Sequence, residues 1–155
     1  MGRPVGKLLD MSNPGARIGC AVMIVKDGRV LLGHRHSDPE KASSELHGEG
    51  TWTLPGGKVD FGDTLLKTAK KEVMEECGIK VEDLEVISIG DEIIPDKHFV
   101  TIGFIARNFK GEPKVMEPDE ITEWKWFELD KLPSPMFFPA KKIIDNYLDK
   151  TIYKG

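Results

Sequence analysis

A glycine-rich turn followed by one amphipathic helix constrains the fold of this chain more than any other feature. The turn reads Pro55-Gly56-Gly57 and is followed by Phe61-Gly62. Asp63 is a good N-cap residue and Gly78 is a good residue just past a helix end, so we expect a helix between them. Apolar residues recur there at three- and four-residue intervals, namely Leu66, Ala69, Val73 and Cys77. This stripe predicts that the helix packs on a sheet.

The same helix gathers three glutamates on one face. With 100° per residue, Glu75 lies about 60° to one side of Glu72 and Glu76 lies about 40° to the other. Like charges at these spacings repel by a few tenths of a kcal/mol per pair. A bound divalent cation would offset the repulsion, and the alternative is a solvated acidic face paired with Lys70 or Lys71. Magnesium suits such a face, because it takes few carboxylate oxygens, keeps several waters and bridges to phosphates.

The segment from Gly57 to Ile79, GKVDFGDTLLKTAKKEVMEECGI, resembles the Nudix box of the MutT superfamily. Its glycines let the backbone approach a metal or a phosphate closely. Asp63 stands where the family has glutamate, and Lys71 stands where it has arginine. Lysine keeps the charge but lacks the planar, two-pronged contact of arginine. The positions that match the family pattern at the right spacing are Gly57, Glu72, Val73, Glu75, Glu76, Gly78 and Ile79.

The resemblance implies an α/β fold, an α/β/α sandwich with a mixed β-sheet between helices. It covers the chain from about Arg17 to Leu148, and we expect residues 1–155 to form a single domain. The segment from Glu117 to Trp126 looks like the MutT-like nucleoside triphosphate diphosphatases, some of which act on oxidised or thiolated purine nucleotides.

The resemblance also implies roles for individual residues. Mg²⁺, with Mn²⁺ as a substitute, is expected at Gly57 through its carbonyl oxygen and at the helix glutamates. Lys71 is expected to orient the acids. A glutamate of the box or Glu120 would accept a proton from water, with Glu117 and Glu123 as rivals of Glu120. The expected metal ligands are Gly57, Glu72, Glu75, Glu76 and Glu120, and the expected catalytic residues are Glu72, Glu75, Glu76, Lys71 and Glu120.

Four residues outside the helix are candidates for substrate contact. Trp52 and Phe137 lie within two residues of a glycine or proline, beside or in predicted loops, and could stack on a base, whereas most other aromatic rings are expected in the core. Arg35 and Lys58 could meet phosphates, and the alternative for both is a solvated basic side chain. No histidine is assigned to a metal, because the four histidines lack a zinc spacing.

These features predict a Mg²⁺-dependent pyrophosphohydrolase. It would cleave a nucleoside triphosphate to the monophosphate and pyrophosphate, and that triphosphate could be an oxidised or otherwise modified one. One alternative is hydrolysis of ADP-ribose or nucleotide sugars. An alternative from another class is a non-catalytic nucleotide-binding regulatory module, which the departures at Asp63 and Lys71 make conceivable.

Composition limits the partners. The 22 basic and 26 acidic side chains give a net charge of -4, which argues against a broad electrostatic footprint for a nucleic acid polymer. Met1 to Ala16 lacks the apolar run of a signal peptide, and no stretch is long enough to span a membrane. Cys20 and Cys77 are expected to be reduced and structural. We expect a cytoplasmic enzyme with a small nucleotide substrate, and a homodimer on the resemblance alone.

The remaining elements follow from apolar runs and turn residues. Asp27-Gly28 separates two apolar runs and predicts a β-hairpin, and His34 to Gly50 is polar and predicts a long, exposed and mobile loop. The expected strands are Ile18 to Val25, Arg29 to Gly33, Trp52 to Leu54, Leu84 to Ile94, His98 to Phe109 and Ile121 to Glu128, and a second helix is expected from Ala140 to Leu148.

Overall fold

A mixed sheet forms the middle layer of the fold in the computed structural model, which describes residues 15–42 and 44–155. The expectation about a leader in Met1 to Ala16 therefore lies almost wholly outside the described residues. The strands are β1 Arg17–Lys26, β2 Arg29–Arg35, β3 Trp52–Thr53, β4 Gly56–Lys58, β5 Lys80–Glu82, β6 Glu85–Ile94, β7 Lys97–Ala106, β8 Asn108–Lys110 and β9 Ile121–Glu128. The helices are α1 Leu65–Cys77 and α2 Phe138–Asp149.

Seven of the strands make the main sheet. Its order is β3-β2-β1-β7-β6, with β4 paired to β1 and β9 paired to β2. The β1–β7 pair is parallel and the others are antiparallel, so the sheet is mixed as expected. Strands β5 and β8 form a separate antiparallel pair.

The predicted β-hairpin is confirmed. Strands β1 and β2 are antiparallel, and Val25 lies opposite Val30. Asp27 and Gly28 have φ values of 52° and 76°, the left-handed conformation that a tight two-residue hairpin turn requires.

Two apolar cores lie on opposite faces of the sheet. Alternation along β1 sends Val22 and Ile24 to the face covered by α1 and Met23 to the face covered by α2. Helix α1 contributes Ala69, Val73 and Cys77 to the first core, and helix α2 contributes Ala140, Ile143 and Ile144 to the second. The expected α/β/α sandwich is therefore confirmed.

The ends and the buried face of α1 differ in part from the prediction. Gly78 ends the helix at φ 71°, as expected, but the N-cap is Thr64, whose side chain accepts a hydrogen bond from the Lys67 amide. Asp63 precedes the cap and binds Lys67 and Lys71 instead. Leu66 was wrongly placed on the apolar stripe, since 48% of it is exposed. Thr68 and Glu76 are buried on this helix, which the stripe did not predict.

Three further predictions need correction. Gly56–Lys58 is a short strand rather than only a turn. The run from His98 to Phe109 is divided between β7 and β8, and β5 was not predicted. The segment from His34 to Gly50 is not wholly an exposed loop, because β2 extends to Arg35 and the loop residues Ala42 and Leu46 are buried. Isolated apolar residues inside a polar segment gave too little periodicity to predict this inward packing.

No helix in the described part of the chain is long and apolar enough to cross a membrane. The compartment and the oligomeric state stay predictions.

Candidate active site

Strand β4 and helix α1 are held together by a buried glutamate. The Gly56 amide donates a hydrogen bond to Glu76 Oε2 over 2.7 Å. Glu76 is only 8% exposed, although it belongs to the polar face of the helix. Strand β4 is itself paired to β1, with Gly57 opposite Cys20. The helix glutamates are thereby fixed against the central strand of the sheet.

Only glycine fits at position 57, because the Glu72 carboxylate occupies the space that a side chain would need. A Cβ atom at Gly57 would lie 2.5 Å from Glu72 Cδ and within 2.8 Å of both carboxylate oxygens. The backbone of β4 and the Glu72 carboxylate are therefore in direct contact. This is the close approach that the glycine-rich turn predicted.

The environment of Glu72 and Glu76 disfavours negative charge. Burial is the main cause that raises the pKa of Glu72 to about 7, and the charge of Glu75 raises it further. Burial also raises the pKa of Glu76 well above its usual range, and Glu72 and Glu117 add to the effect, against the hydrogen bond from Gly56. Two adjacent, partly desolvated carboxylates with raised pKa values are typical of a functional site that takes a cation.

The residues present fit a magnesium ion. Within residues 15–42 and 44–155, no three acidic, histidine or cysteine side chains are already gathered at metal-binding distances. Magnesium does not need three, because it binds through one or two carboxylates and keeps waters and substrate phosphates as its other ligands. Glu72, Glu76 and the backbone at Gly57 supply such a set, all lining one cavity.

Glu75 and Lys71 lie outside this cavity lining. Glu75 is exposed and acts on Glu72 only through its charge. Lys71 Nζ lies 3.1 Å from Asp60 Oδ2 and 3.2 Å from Asp63 Oδ2. The two departures from the family pattern thus bind each other, and the direct hydrogen bonds of Lys71 go to these aspartates rather than to the glutamates. Its charge still lowers the pKa of Glu72 against the effect of burial.

The loop before β9 brings two more glutamates to the cavity. Glu117 and Glu120 both line it, whereas Glu123 lies on β9 and does not. The Glu120 carbonyl accepts a hydrogen bond from the His36 amide over 2.8 Å, and the Glu120 amide donates to the Glu117 carbonyl over 2.9 Å. Burial raises the pKa of Glu117, and the charge of Glu120 adds to it. Glu120 and Glu117 therefore remain candidates for a proton acceptor.

The cavity has a volume of about 660 Å³ and is lined by both polar and apolar side chains. Three of the four predicted substrate contacts, Arg35, Lys58 and Phe137, line it. The Arg35 guanidinium lies 4.9 Å from the centre of the Phe137 ring, and Arg35 Nη2 donates to the Ala42 carbonyl over 2.7 Å. Lys58 Nζ lies 3.0 Å from Glu45 Oε2, so an anion that engages Lys58 competes with Glu45.

Trp52 is not part of the cavity lining. Its ring packs on His34 and Phe127, with centroids 4.8 Å and 4.9 Å away. Its backbone binds the segment that carries Phe137, since the Phe137 amide donates to the Trp52 carbonyl over 2.8 Å. Trp52 thus holds the segment of Phe137 through its backbone, and a contact of its ring with substrate stays a prediction.

Several lining residues were not predicted as site residues. Thr101, Glu45 and Leu46 line the cavity, as does Phe99, which the sequence placed among rings expected in the core. Alternation along β7 puts Phe99 and Thr101 on one face and is the signal that could have paired them. Cys20 also lines the cavity; both Cys20 and Cys77 are free and buried, and burial raises the Cys20 pKa to about 11.

Comparison with known proteins shows which family and which fold this chain resembles. A family model described as the NUDIX domain matches residues 14–147. A crystal structure of a MutT NUDIX hydrolase from Burkholderia pseudomallei has a TM-score of 0.76 and 36% sequence identity, covering 85% of this chain and 98% of that chain.

Two curated proteins with different names are similar to the chain. An oxidized purine nucleoside triphosphate hydrolase of Danio rerio is 36% identical over 118 residues, which are 72% of this chain and 66% of that protein. An ADP-ribose pyrophosphatase of Methanocaldococcus jannaschii is 33% identical over 128 residues, which are 81% of this chain and 69% of that protein. The chain spans about two thirds of the length of each.

Proposed function

Because this chain belongs to the NUDIX domain family, we propose that it is a Mg²⁺-dependent hydrolase that cleaves a nucleoside triphosphate to the monophosphate and pyrophosphate. The observation that carries the proposal is the pair Glu72 and Glu76 against β4. Glu76 is 8% exposed, and burial together with its acidic neighbours raises its pKa, so its charged form is unfavourable unless a cation is bound.

Glu72, Glu76 and the Gly57 carbonyl are the residues that would hold the magnesium. When bound, the metal would offset phosphate charge and increase the acidity of a water molecule. Mn²⁺ could substitute, since it also binds carboxylate and carbonyl oxygens. Glu75 and Lys71 would act on this group through their charges, because neither lines the cavity.

The loop glutamates are our candidates for the proton acceptor. Glu120 lines the same cavity as Glu72 and Glu76, and its charge raises the pKa of Glu76. We assign to Glu120 the acceptance of a proton from the attacking water, with Glu117 as the rival. Glu123 is the weaker candidate because it lies outside the cavity lining.

Arg35, Phe137 and Lys58 would bind the substrate. The ring of Phe137 offers a face for a nucleobase, and Arg35 lies against that ring. Lys58 would leave its ion pair with Glu45, bind phosphate oxygens instead and neutralise the departing pyrophosphate.

ADP-ribose or a nucleotide sugar is a second candidate substrate. The M. jannaschii relative carries the name ADP-ribose pyrophosphatase at 33% identity, close to the identity with the triphosphate hydrolase of D. rerio. Both substrates contain the phosphoanhydride bond that the acidic cluster would serve, so the chemistry alone does not separate them.

A product assay separates these possibilities. Nucleoside triphosphates and oxidised triphosphates are incubated with Mg²⁺ or Mn²⁺ and inorganic pyrophosphatase, and phosphate is measured. ADP-ribose and nucleotide sugars are incubated with alkaline phosphatase, which releases phosphate only from their cleaved products. We expect turnover of triphosphates that falls at least about 100-fold in Glu76→Gln. The exposed Glu75→Gln is the matched control and should lose far less activity.

Each other outcome changes the conclusion. Turnover confined to ADP-ribose or nucleotide sugars would replace the triphosphate with the second candidate. Full activity of Glu76→Gln would contradict the assignment of the metal ligands. No product from any nucleotide, together with tight nucleotide binding, would favour the non-catalytic module.

A further inference from the structure

Glu92 is a buried carboxylate that the proposed reaction does not use. It lies on β6 and is 1% exposed. In the part of the chain that the structure describes, neither of its carboxylate oxygens has a hydrogen-bond partner. The Lys142 ammonium lies 3.8 Å from Glu92 Oε2 and donates a hydrogen bond to the Asp91 carbonyl instead. A buried carboxylate without a well-placed donor is costly, and the side-chain donors near it are the Lys142 ammonium and the Thr101 hydroxyl.

Thr101 lies between Glu92 and the cavity. In the β6–β7 register Gly90 faces Thr101 and Glu92 faces Phe99, so Glu92 and Thr101 lie on one face of neighbouring strands. The Glu92 carboxylate folds back over Gly90, where a Cβ atom would meet Oε2 at 3.0 Å. Burial raises the pKa of Glu92, and the nearby Thr101 hydroxyl opposes the rise. The carboxylate lies over Gly90, and Gly90 is directly opposite Thr101, so the Thr101 side chain lies beside the carboxylate.

The same hydroxyl faces the cavity. Thr101 is 7% exposed and lines the cavity together with Gly19 and Phe99. A Cβ atom at Gly19 would lie 3.7 Å from Thr101 Oγ1 and 3.9 Å from Phe99 Cδ1. The Thr101 oxygen thus has the open space above Gly19 on one side and Glu92 on the other.

We propose that Glu92 is a positioning residue that orients the Thr101 hydroxyl in the cavity wall, and that the pair selects a hydrogen-bond donor on the nucleoside part of the substrate. A threonine hydroxyl has one hydrogen and two lone pairs. When the hydrogen points to the Glu92 carboxylate, only lone pairs face the cavity. The wall then accepts an N–H group of a base or an O–H group of a sugar. A ligand that presents an acceptor at this point is rejected, because two lone pairs would oppose each other.

The inference rests on the proposed function for the identity of the ligand as a nucleotide. Binding is therefore measured by calorimetry with α,β-methylene nucleotides and Mg²⁺, which requires no turnover. The guanine and hypoxanthine nucleotides differ by one amino group, and the ribo and deoxyribo forms differ by one hydroxyl. These two pairs separate a donor on the base from a donor on the sugar.

The wild type should prefer the donor-bearing member of one pair by about 10-fold, the size of one well-placed hydrogen bond in a specific site. Thr101→Val keeps the shape, removes the hydroxyl and should abolish the preference. Thr101→Ser should retain it. Glu92→Gln should reduce the preference because the amide can donate to the threonine oxygen. Each preference is a ratio measured on one preparation, so a partly unfolded sample does not change it.

A double variant tests whether Glu92 acts through Thr101. If it does, Glu92→Gln combined with Thr101→Val should show no further loss of preference beyond Thr101→Val alone. Additive losses, an unchanged preference in either single variant, or no preference in the wild type would overturn the inference. Failure of nucleotides to bind at all would instead remove the proposed function on which it rests.

Discussion

The acidic region and the aromatic wall of the cavity are assembled from different amounts of chain. The acidic region, defined as Gly57, Glu72 and Glu76, comes from β4 and the helix that follows it. The aromatic wall, defined as Phe99, Thr101 and Phe137, comes from β7 and the N-terminus of α2. The first region is set by one continuous segment, and the second depends on how distant segments pack. Changes in the first should therefore affect every substrate, and changes in the second should affect the choice among substrates.

Two glycines give the largest expected contrast. Gly57→Ala places a methyl group 2.5 Å from Glu72 Cδ, so the carboxylate must move. We expect kcat to fall about 100-fold for every substrate, as misplacement of a reacting group by about 1 Å can do. Gly19→Ala is the matched control for kcat, since its methyl group makes only ordinary contacts at 3.6 Å or more, and because Gly19 lines the cavity any effect of this change is expected in KM. Steady-state kinetics of both variants measure this contrast. A wild-type kcat in Gly57→Ala would contradict the distinction between the two regions.

Two aromatic rings test the wall itself. Phe137→Ala should raise KM about 10-fold and leave kcat nearly unchanged, because stacking on a base is worth roughly 1–3 kcal/mol. Trp52→Phe should lower the melting temperature instead, since Trp52 packs on His34 and Phe127 rather than in the cavity. Steady-state kinetics and thermal unfolding of both variants show which ring affects KM and which affects the melting temperature. An increase in KM in Trp52→Phe alone would restore Trp52 as the substrate contact.

The smallest expected effect is a shift in stability with pH. Without divalent metal, Glu72 and Glu76 hold protons in the folded state that the unfolded chain releases, because burial raises the pKa of each. Stability should therefore fall as pH rises from about 4.5 through about 7, and we expect a decrease of a few degrees in melting temperature.

Magnesium separates the two regions in this experiment. It should remove most of the decrease that Glu72 and Glu76 cause, because the ion favours the charged carboxylates. The pKa of Glu92 is also raised by burial, but Glu92 lies behind Thr101 and outside the cavity lining, so magnesium should leave its contribution unchanged. Glu92→Gln should remove the part of the decrease in melting temperature that persists with magnesium. A melting temperature that rises with pH in the metal-free protein would contradict the assignment.

The sequence predicted the site best where neighbours in sequence are neighbours in space. The spacing of Glu72 and Glu76 on one helix, the helix end at Gly78 and the hairpin turn at Asp27 all follow from local geometry. The prediction that Leu66 is buried was wrong, because three- and four-residue spacing does not fix where the edge of a buried stripe lies. Trp52 and Phe137 had the same sequence signal, and only Phe137 lines the cavity.

The sequence by itself determined the acidic helix, because that feature depends on periodicity and spacing within one segment, and the resemblance of that segment to the Nudix box implied the family and the layers of the fold. Only the tertiary structure decided that Lys71 binds Asp60 and Asp63, that Glu76 is buried against β4, and that Glu92 lies behind Thr101. Those contacts join segments that are far apart in the chain or depend on the path of the backbone between them. Their partners are chosen by the packing of the whole fold, which no single segment specifies.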